Sequence, residues 1–136
     1  MNGDGAVVVD TSALIAVLRA EPDARRYADA IADAPSRHLS AANFVEAAVV
    51  IDANRDPIAS RRFDDLIREA MVAIEPVTAE QARIAREAYR DFGKGSGHPA
   101  QLNFGDCFAY ALARATGRKL LFKGQDFAHT DVASAL

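Results

Sequence analysis

Four carboxylates stand at the polar ends of otherwise apolar stretches: Asp10, Glu46, Asp106 and Asp126. Asp10 closes Ala6-Val7-Val8-Val9, a run without polar alternation that reads as a strand buried on both faces of a parallel sheet. Carboxylates are rarely buried without a partner, and ligands of open α/β sheets bind at the carboxyl ends of the strands. Glu46 interrupts Phe44-Val45 and Ala47-Ala48-Val49-Val50-Ile51, which leaves little room for a role in solvent. Asp106 opens the helical stretch 107–113, apolar nearly all round and therefore buried. Asp126 follows a short apolar strand in a glycine-containing turn, with Asp131 competing for the same place.

Singly, each acid has an ordinary explanation. Asp10 could accept hydrogen bonds from the amides of the next turn, and Asp106 could sit against a helix macrodipole. Glu46 could line a hydrated helix edge, and Asp126 could serve a turn. Together they could repel one another by roughly 4 kcal/mol per pair at about 4 Å and an effective dielectric near 20, a cost that a bound cation removes. Magnesium and manganese suit all-oxygen sites and take few direct carboxylates. The expected direct ligands are Asp10 and Asp106, with Glu46 and Asp126 acting directly, through water or on a second ion. Such a cluster suits phosphodiester hydrolysis. Lys94, Lys119 and Lys123 are the bases expected to attract phosphate; Thr11 or Ser12 is expected to cap a helix, the alternative being a hydrogen bond to a ligand water or a carboxylate. His98 and His129 have no second ligand at metal spacing and are assigned no catalytic role.

Alternating elements must position these residues. Strands are expected near 6–9, 37–39, 72–77 and 119–122, and helices over about 13–20, 23–33, 41–53, 58–70, 79–92 and 104–115. Glycine-rich 93–99 reads as a loop, and it lacks the Gly-Lys-Ser/Thr ending of a phosphate-cradling loop. No repeat or linker divides the chain, so residues 1–136 are expected to form one α/β domain. Its architecture is a three-layer α/β/α sandwich around a mostly parallel sheet of four to five strands.

A net charge of −3 gives no sign of a protein-wide basic surface, so a nucleic acid would be gripped by local Lys/Arg clusters or through a metal, and the single cysteine, Cys107, excludes an internal disulfide and a cysteine-rich zinc site. No apolar run approaches the roughly 18 residues of a spanning helix, and Met1-Asn2-Gly3-Asp4-Gly5 lacks a basic leader; the expectation is a cytoplasmic protein without a membrane partner. A phosphoacceptor receiver would need an acidic pair beside the first strand, and a haloacid-dehalogenase-like phosphatase would need Asp-x-Asp, where Ser12 stands instead.

The segments 8–14 (Val-Val-Asp-Thr-Ser-Ala-Leu), 40–46 (Ser-Ala-Ala-Asn-Phe-Val-Glu), 102–109 (Leu-Asn-Phe-Gly-Asp-Cys-Phe-Ala) and 120–127 (Leu-Leu-Phe-Lys-Gly-Gln-Asp-Phe), with Thr130-Asp131, resemble the PIN-domain ribonucleases, specifically VapC-type toxins of bacterial toxin-antitoxin pairs. The resemblance spans nearly the whole chain in order. It implies a Mg2+-dependent endoribonuclease, Mn2+ substituting, with Asp10, Glu46, Asp106 and Asp126 as its acidic quartet. It also implies an RNA substrate, a homodimer, and a small VapB-type antitoxin that blocks the site. A non-catalytic interaction module on the same fold is the alternative.

Overall fold

The computed structural model describes residues 5–136. The expectation drawn from the missing basic leader falls on residues 1–4 and so lies outside the described residues. Four parallel strands, β1 (Val7–Val9), β2 (Arg37–Ser40), β3 (Val72–Glu75) and β4 (Lys119–Leu121), form one sheet in the order β3-β2-β1-β4. Between β1 and β2 run α1 (Thr11–Leu18) and α2 (Ala24–Asp33); α3 (Ala41–Asp52) and α4 (Pro57–Glu69) lead on to β3. The chain then crosses to the other side of β1 through α5 (Ala79–Phe92) and α6 (Phe104–Thr116) before entering β4.

Side-chain alternation along β1 shows why both faces are covered. Val7 and Val9 pack with residues of α1 to α4, whereas Val8 packs with α5, α6 and Phe127. Val8, Val9, Leu14, Leu39, Leu120 and Leu121 are wholly buried, each contributing about 1.5–3 kcal/mol of transfer free energy. The expected three-layer sandwich is therefore present. The tail adds an isolated parallel bridge, Leu120 with Ser134, beside the four strands.

Helix starts follow local chemistry. Ser40, Asp56 and Thr78 each cap a following helix through the side chain, and Pro57 occupies the first turn of α4. Asn103 and Asp106 form a reciprocal capping box at the start of α6, which ends at Gly117 with φ 69°. One expectation fails: Asp10, not Thr11 or Ser12, caps α1, and the helix begins at Thr11. An aspartate at the strand end accepts from the Ser12 amide and turns the chain without an intervening linker. Likewise β3 stops at Glu75, because Pro76 has no amide hydrogen to extend the ladder. No helix among the described residues is long and apolar enough to cross a membrane.

Candidate active site

Strand order reverses at β1, which has β2 on one side and β4 on the other, and a crevice opens beyond the carboxyl ends of β1 and β4 at such a switch point. Asp10 lies there, its amide donating to the Leu121 carbonyl at 2.9 Å. Its Oδ2 accepts from the Ser12 amide at 3.0 Å and from the Ser12 hydroxyl at 2.6 Å. Ser12 Oγ in turn accepts from the Lys123 amide at 2.9 Å, so this hydroxyl ties the segment after β4 to the acid after β1. Burial drives the Asp10 carboxyl up to about 6, against the Ser12 hydrogen bonds that lower it and with the nearby Glu46 charge adding to the rise.

Glu46 reaches the same edge from α3. Its Oε1 accepts from Thr11 Oγ1 at 2.6 Å and from Asn43 Nδ2 at 3.1 Å; the same Asn43 amide group donates to the Gly105 carbonyl at 2.9 Å. Asn43 is fully buried. It sits one helical turn before Glu46, where side chains at i and i+3 share a face. The Glu46 carboxylate lies directly over Gly105: a β-carbon there would stand 1.9 Å from Oε2. Gly105 is thus required for close approach between α3 and α6.

Asp106, buried in the first turn of α6, accepts on Oδ2 from the Asn103 amide at 3.0 Å, while its own amide donates to Asn103 Oδ1 at 2.8 Å. Exposed Asp126, opening the short 3₁₀ turn Asp126–His129, is within hydrogen-bonding reach of it. Burial, followed by repulsion from Asp10 and from Asp126, pushes the Asp106 carboxyl up to about 8, although the Asn103 amide opposes the shift. The ordinary roles anticipated for Asp10 and Asp106 are therefore real, since both cap helices. The Ser12 bonds to Asp10 and the Asn103 bond to Asp106 all fall on Oδ2.

The donor set fits a hard divalent cation: carboxylate oxygens, neighbouring like charges, and two acids whose ionised forms burial disfavours until a counter-charge arrives. Among the described residues no three Asp, Glu, His or Cys side chains form a ready-made cage. The acids are strung along the crevice, Glu46 beside Asp10, Asp10 near Asp106, and Asp106 near Asp126. A chain of this kind suits an ion that keeps several waters and takes one or two direct carboxylates.

The bases fare differently from expectation. Lys123 is held by Glu21 at 2.5 Å and Asp23 at 2.9 Å, and is not free for phosphate. Lys119 pairs in register with Val7 at the amino end of the sheet, away from the acids. Lys94 alone of the three lines a cleft that also includes Asp126. Asp131 accepts from Tyr110 Oη at 2.5 Å and pairs with Arg114 at 3.2 Å, which satisfies it without the acidic centre. His98 Nδ1 accepts from the Ala100 amide at 3.1 Å within its own loop. Cys107 is buried, donates to the Asn103 carbonyl, and has its thiol pushed up to about 11, so it remains a thiol.

A family model described as the PIN domain matches residues 7–133. Ribonuclease VapC28 of Mycobacterium tuberculosis is 59% identical over 130 residues, covering 96% of this chain and 98% of the relative. The chain belongs to the PIN-domain family, among the VapC ribonucleases. Ribonuclease VapC of Mycolicibacterium smegmatis is 49% identical to this VapC-family chain over 94% of its length and 98% of the relative. The fold agrees. The crystal structure of M. tuberculosis VapC20, a sarcin-ricin loop cleaving toxin, superposes with a TM-score of 0.71 at 19% identity, covering 93% of this chain and 96% of that one. A toxin-antitoxin complex from Klebsiella pneumoniae gives 0.71 at 17% identity, covering 96% and 98%.

Sequence reasoning missed Asn43, Gly105 and Asn103, which position the acids. Their signal was available: each lies within three residues of a named carboxylate in the same motif.

Proposed function

We propose that this chain is an endoribonuclease, dependent on Mg2+ or Mn2+, that acts as the toxin of a VapBC-type pair. The observation carrying this reading is the run of four carboxylates at the β1/β4 switch point, two of them raised by burial and by neighbouring acids, Asp10 by Glu46 and Asp106 by Asp10 and Asp126. Identity of 59% to a protein named a ribonuclease supports the substrate class.

Asp10 and Asp106 would hold the ion, with Glu46 and Asp126 reaching it directly or through water. When bound, such an ion would acidify a water and offset negative charge on the phosphoryl oxygens. The protein's own part is positional. Ser12 fixes Asp10, Asn103 fixes Asp106, and Thr11 with Asn43 holds one Glu46 oxygen so that the other faces Gly105.

A homodimer and a small VapB-type antitoxin complete the reading. Exposed Val45 and Val49 on α3 and Phe104 on α6 provide apolar surface for a protein partner. The test is to incubate purified protein, free of partner, with structured RNA in Mg2+, Mn2+ or EDTA, beside Asp10→Asn and Asp106→Asn. Cleavage is expected only for the parent with metal. Full-rate cleavage in EDTA, or by both variants, would overturn the metal mechanism.

A further inference from the structure

Beside the acidic centre lies a second, chemically different cleft of about 390 Å³, lined by Lys94, Gln101, Asn103, Gln125, Asp126 and His129. It shares Asp126 and Asn103 with the candidate active site, so whatever occupies one abuts the other. Its walls carry a cation, an imidazole and three carboxamides, of which Asn103 is engaged by the Asp106 amide. The Lys94, His129, Gln101 and Gln125 side chains are exposed, and none of them has a hydrogen bond or ion pair among the described residues. The contrast with Lys123, saturated by two carboxylates, is direct.

The loop that presents Lys94 and Gln101 is built rather than loose. The Lys94 amide donates to the Leu102 carbonyl and the Leu102 amide to the Phe92 carbonyl, both at 2.8 Å, closing a bridge between Gly93 and Leu102. Tyr89 Oη donates to the Lys94 carbonyl, and the His98 ring packs edge-on against Phe92 with centroids 4.9 Å apart. Within this frame Gln101 has φ 51°. The other non-glycine residues in the left-handed region, Ala20, Arg55 and Met71, come just after helix ends, where that conformation closes a helix. Gln101 follows no helix. Its strain instead holds a carboxamide at the rim of a cleft, the kind of place where such cost persists when it serves a ligand.

We propose that this cleft seats the ribonucleotide flanking the scissile phosphate, with Lys94 against a phosphate and Gln101 and Gln125 reading the base edge. Single-stranded RNA exposes its base edges to amide hydrogen bonds, and a carboxamide matches the paired donor and acceptor of a base such as adenine. A lysine contributes charge to the backbone without sequence preference. The inference rests on the nuclease reading and adds to it the determinants of substrate choice.

The test uses single-stranded RNA of randomised sequence, with cut sites read by end sequencing, on the parent protein and on Lys94→Met, Gln101→Gly and Gln125→Ala. The two glutamine variants are expected to flatten base preference beside the cut by roughly tenfold, with the loss falling in KM more than in kcat. Gln101→Gly also relieves the left-handed backbone, so its thermal stability should hold or rise while preference falls, which a purely structural role would not produce. Lys94→Met should weaken binding to all sequences and reduce the slope of log affinity against log salt by about 0.7. Parent-like preference and KM in all three variants, with cleavage intact, would overturn the cleft's role and leave the nuclease reading standing. Absence of cleavage by the parent in either metal would defeat the nuclease reading instead. Anisotropy with a labelled single-stranded RNA then decides for the cleft: weaker binding by the variants upholds an RNA site there, and equal binding overturns it.

Discussion

Two acids end strands at the same edge of one sheet, yet they meet opposite fates. Glu75 closes β3 and accepts from His38 Nδ1 at 2.7 Å, on a part of the edge that is half open to water. Asp10 follows β1, is buried, and among the described residues finds neutral donors from Thr11 and Ser12 and other carboxylates. Asp131 and the Glu21-Asp23 pair are satisfied more strongly still, since each has a lysine or arginine at contact distance. An acid at a strand end therefore says little until its partners are known. What sets the β1/β4 crevice apart is that its buried acids have no cation among the described residues, which leaves that role to a ligand.

The largest effect should separate the two regions outright. Asp10→Asn or Asp106→Asn is expected to lower RNA cleavage by about 100-fold or more, by analogy with loss of a single electrostatic group in an active site. Glu75→Gln should stay within about twofold, as a partly exposed pair contributes little. Equal losses on the two sides, measured in one cleavage assay, would erase the distinction.

Protonation sharpens it. Both crevice acids are held above their unfolded value of 3.8, so the metal-free fold gains from them fully below about pH 4. That contribution is lost as pH rises through about 6 for Asp10 and about 8 for Asp106. Thermal melts in EDTA should accordingly show Tm falling between pH 5 and 8 (roughly the interval these shifts define), with Mn2+ restoring it at the alkaline end. At pH 8 in EDTA, Asp106→Asn should melt about 5 °C above the parent while cutting no RNA. A Tm unchanged by pH, metal or this substitution would mean that the acids do not strain one another.

Gly105→Ala acts through geometry alone. A β-carbon 1.9 Å from Glu46 Oε2 must displace that carboxylate, which is the flexible end of its side chain, so the fold is expected to survive with a Tm change of only a few degrees. Cleavage should drop about tenfold, the scale of a misplaced catalytic group. Retained activity would show that Glu46 is not needed where it lies. The smallest effect is expected of Ser12→Ala, which removes the hydroxyl bond to Asp10 and the acceptor of the Lys123 amide. A loss of about 1 kcal/mol in chemical denaturation, with a further rise of the Asp10 carboxyl seen by NMR titration, is the outcome to look for.

Much of this was legible beforehand because it is local. Valine-rich strands, the Ser40 and Thr78 caps, the Gly117 stop and the apolar face of α6 each follow from a few consecutive residues. The first helix begins at Thr11, two residues before the expected start at Ala13, since Asp, Thr and Ser can all cap and only packing chooses among them. Lys119 and Lys123 were misjudged for a different reason. A lysine's usefulness depends on which carboxylates the fold brings to it, and Glu21 and Asp23 lie about a hundred residues away in the chain.

The sequence by itself determined the element order and the three-layer class and singled out four acids as candidates, because hydrophobic periodicity and residue type are properties of neighbours. Only the tertiary structure decided which charges are satisfied. It buried Asp10 and Asp106 together, set Glu46 over Gly105, withdrew Lys123 into an ion pair and left Lys94 open beside Asp126. Electrostatic energy depends on distance and burial in three dimensions, and neither is encoded in spacing along the chain.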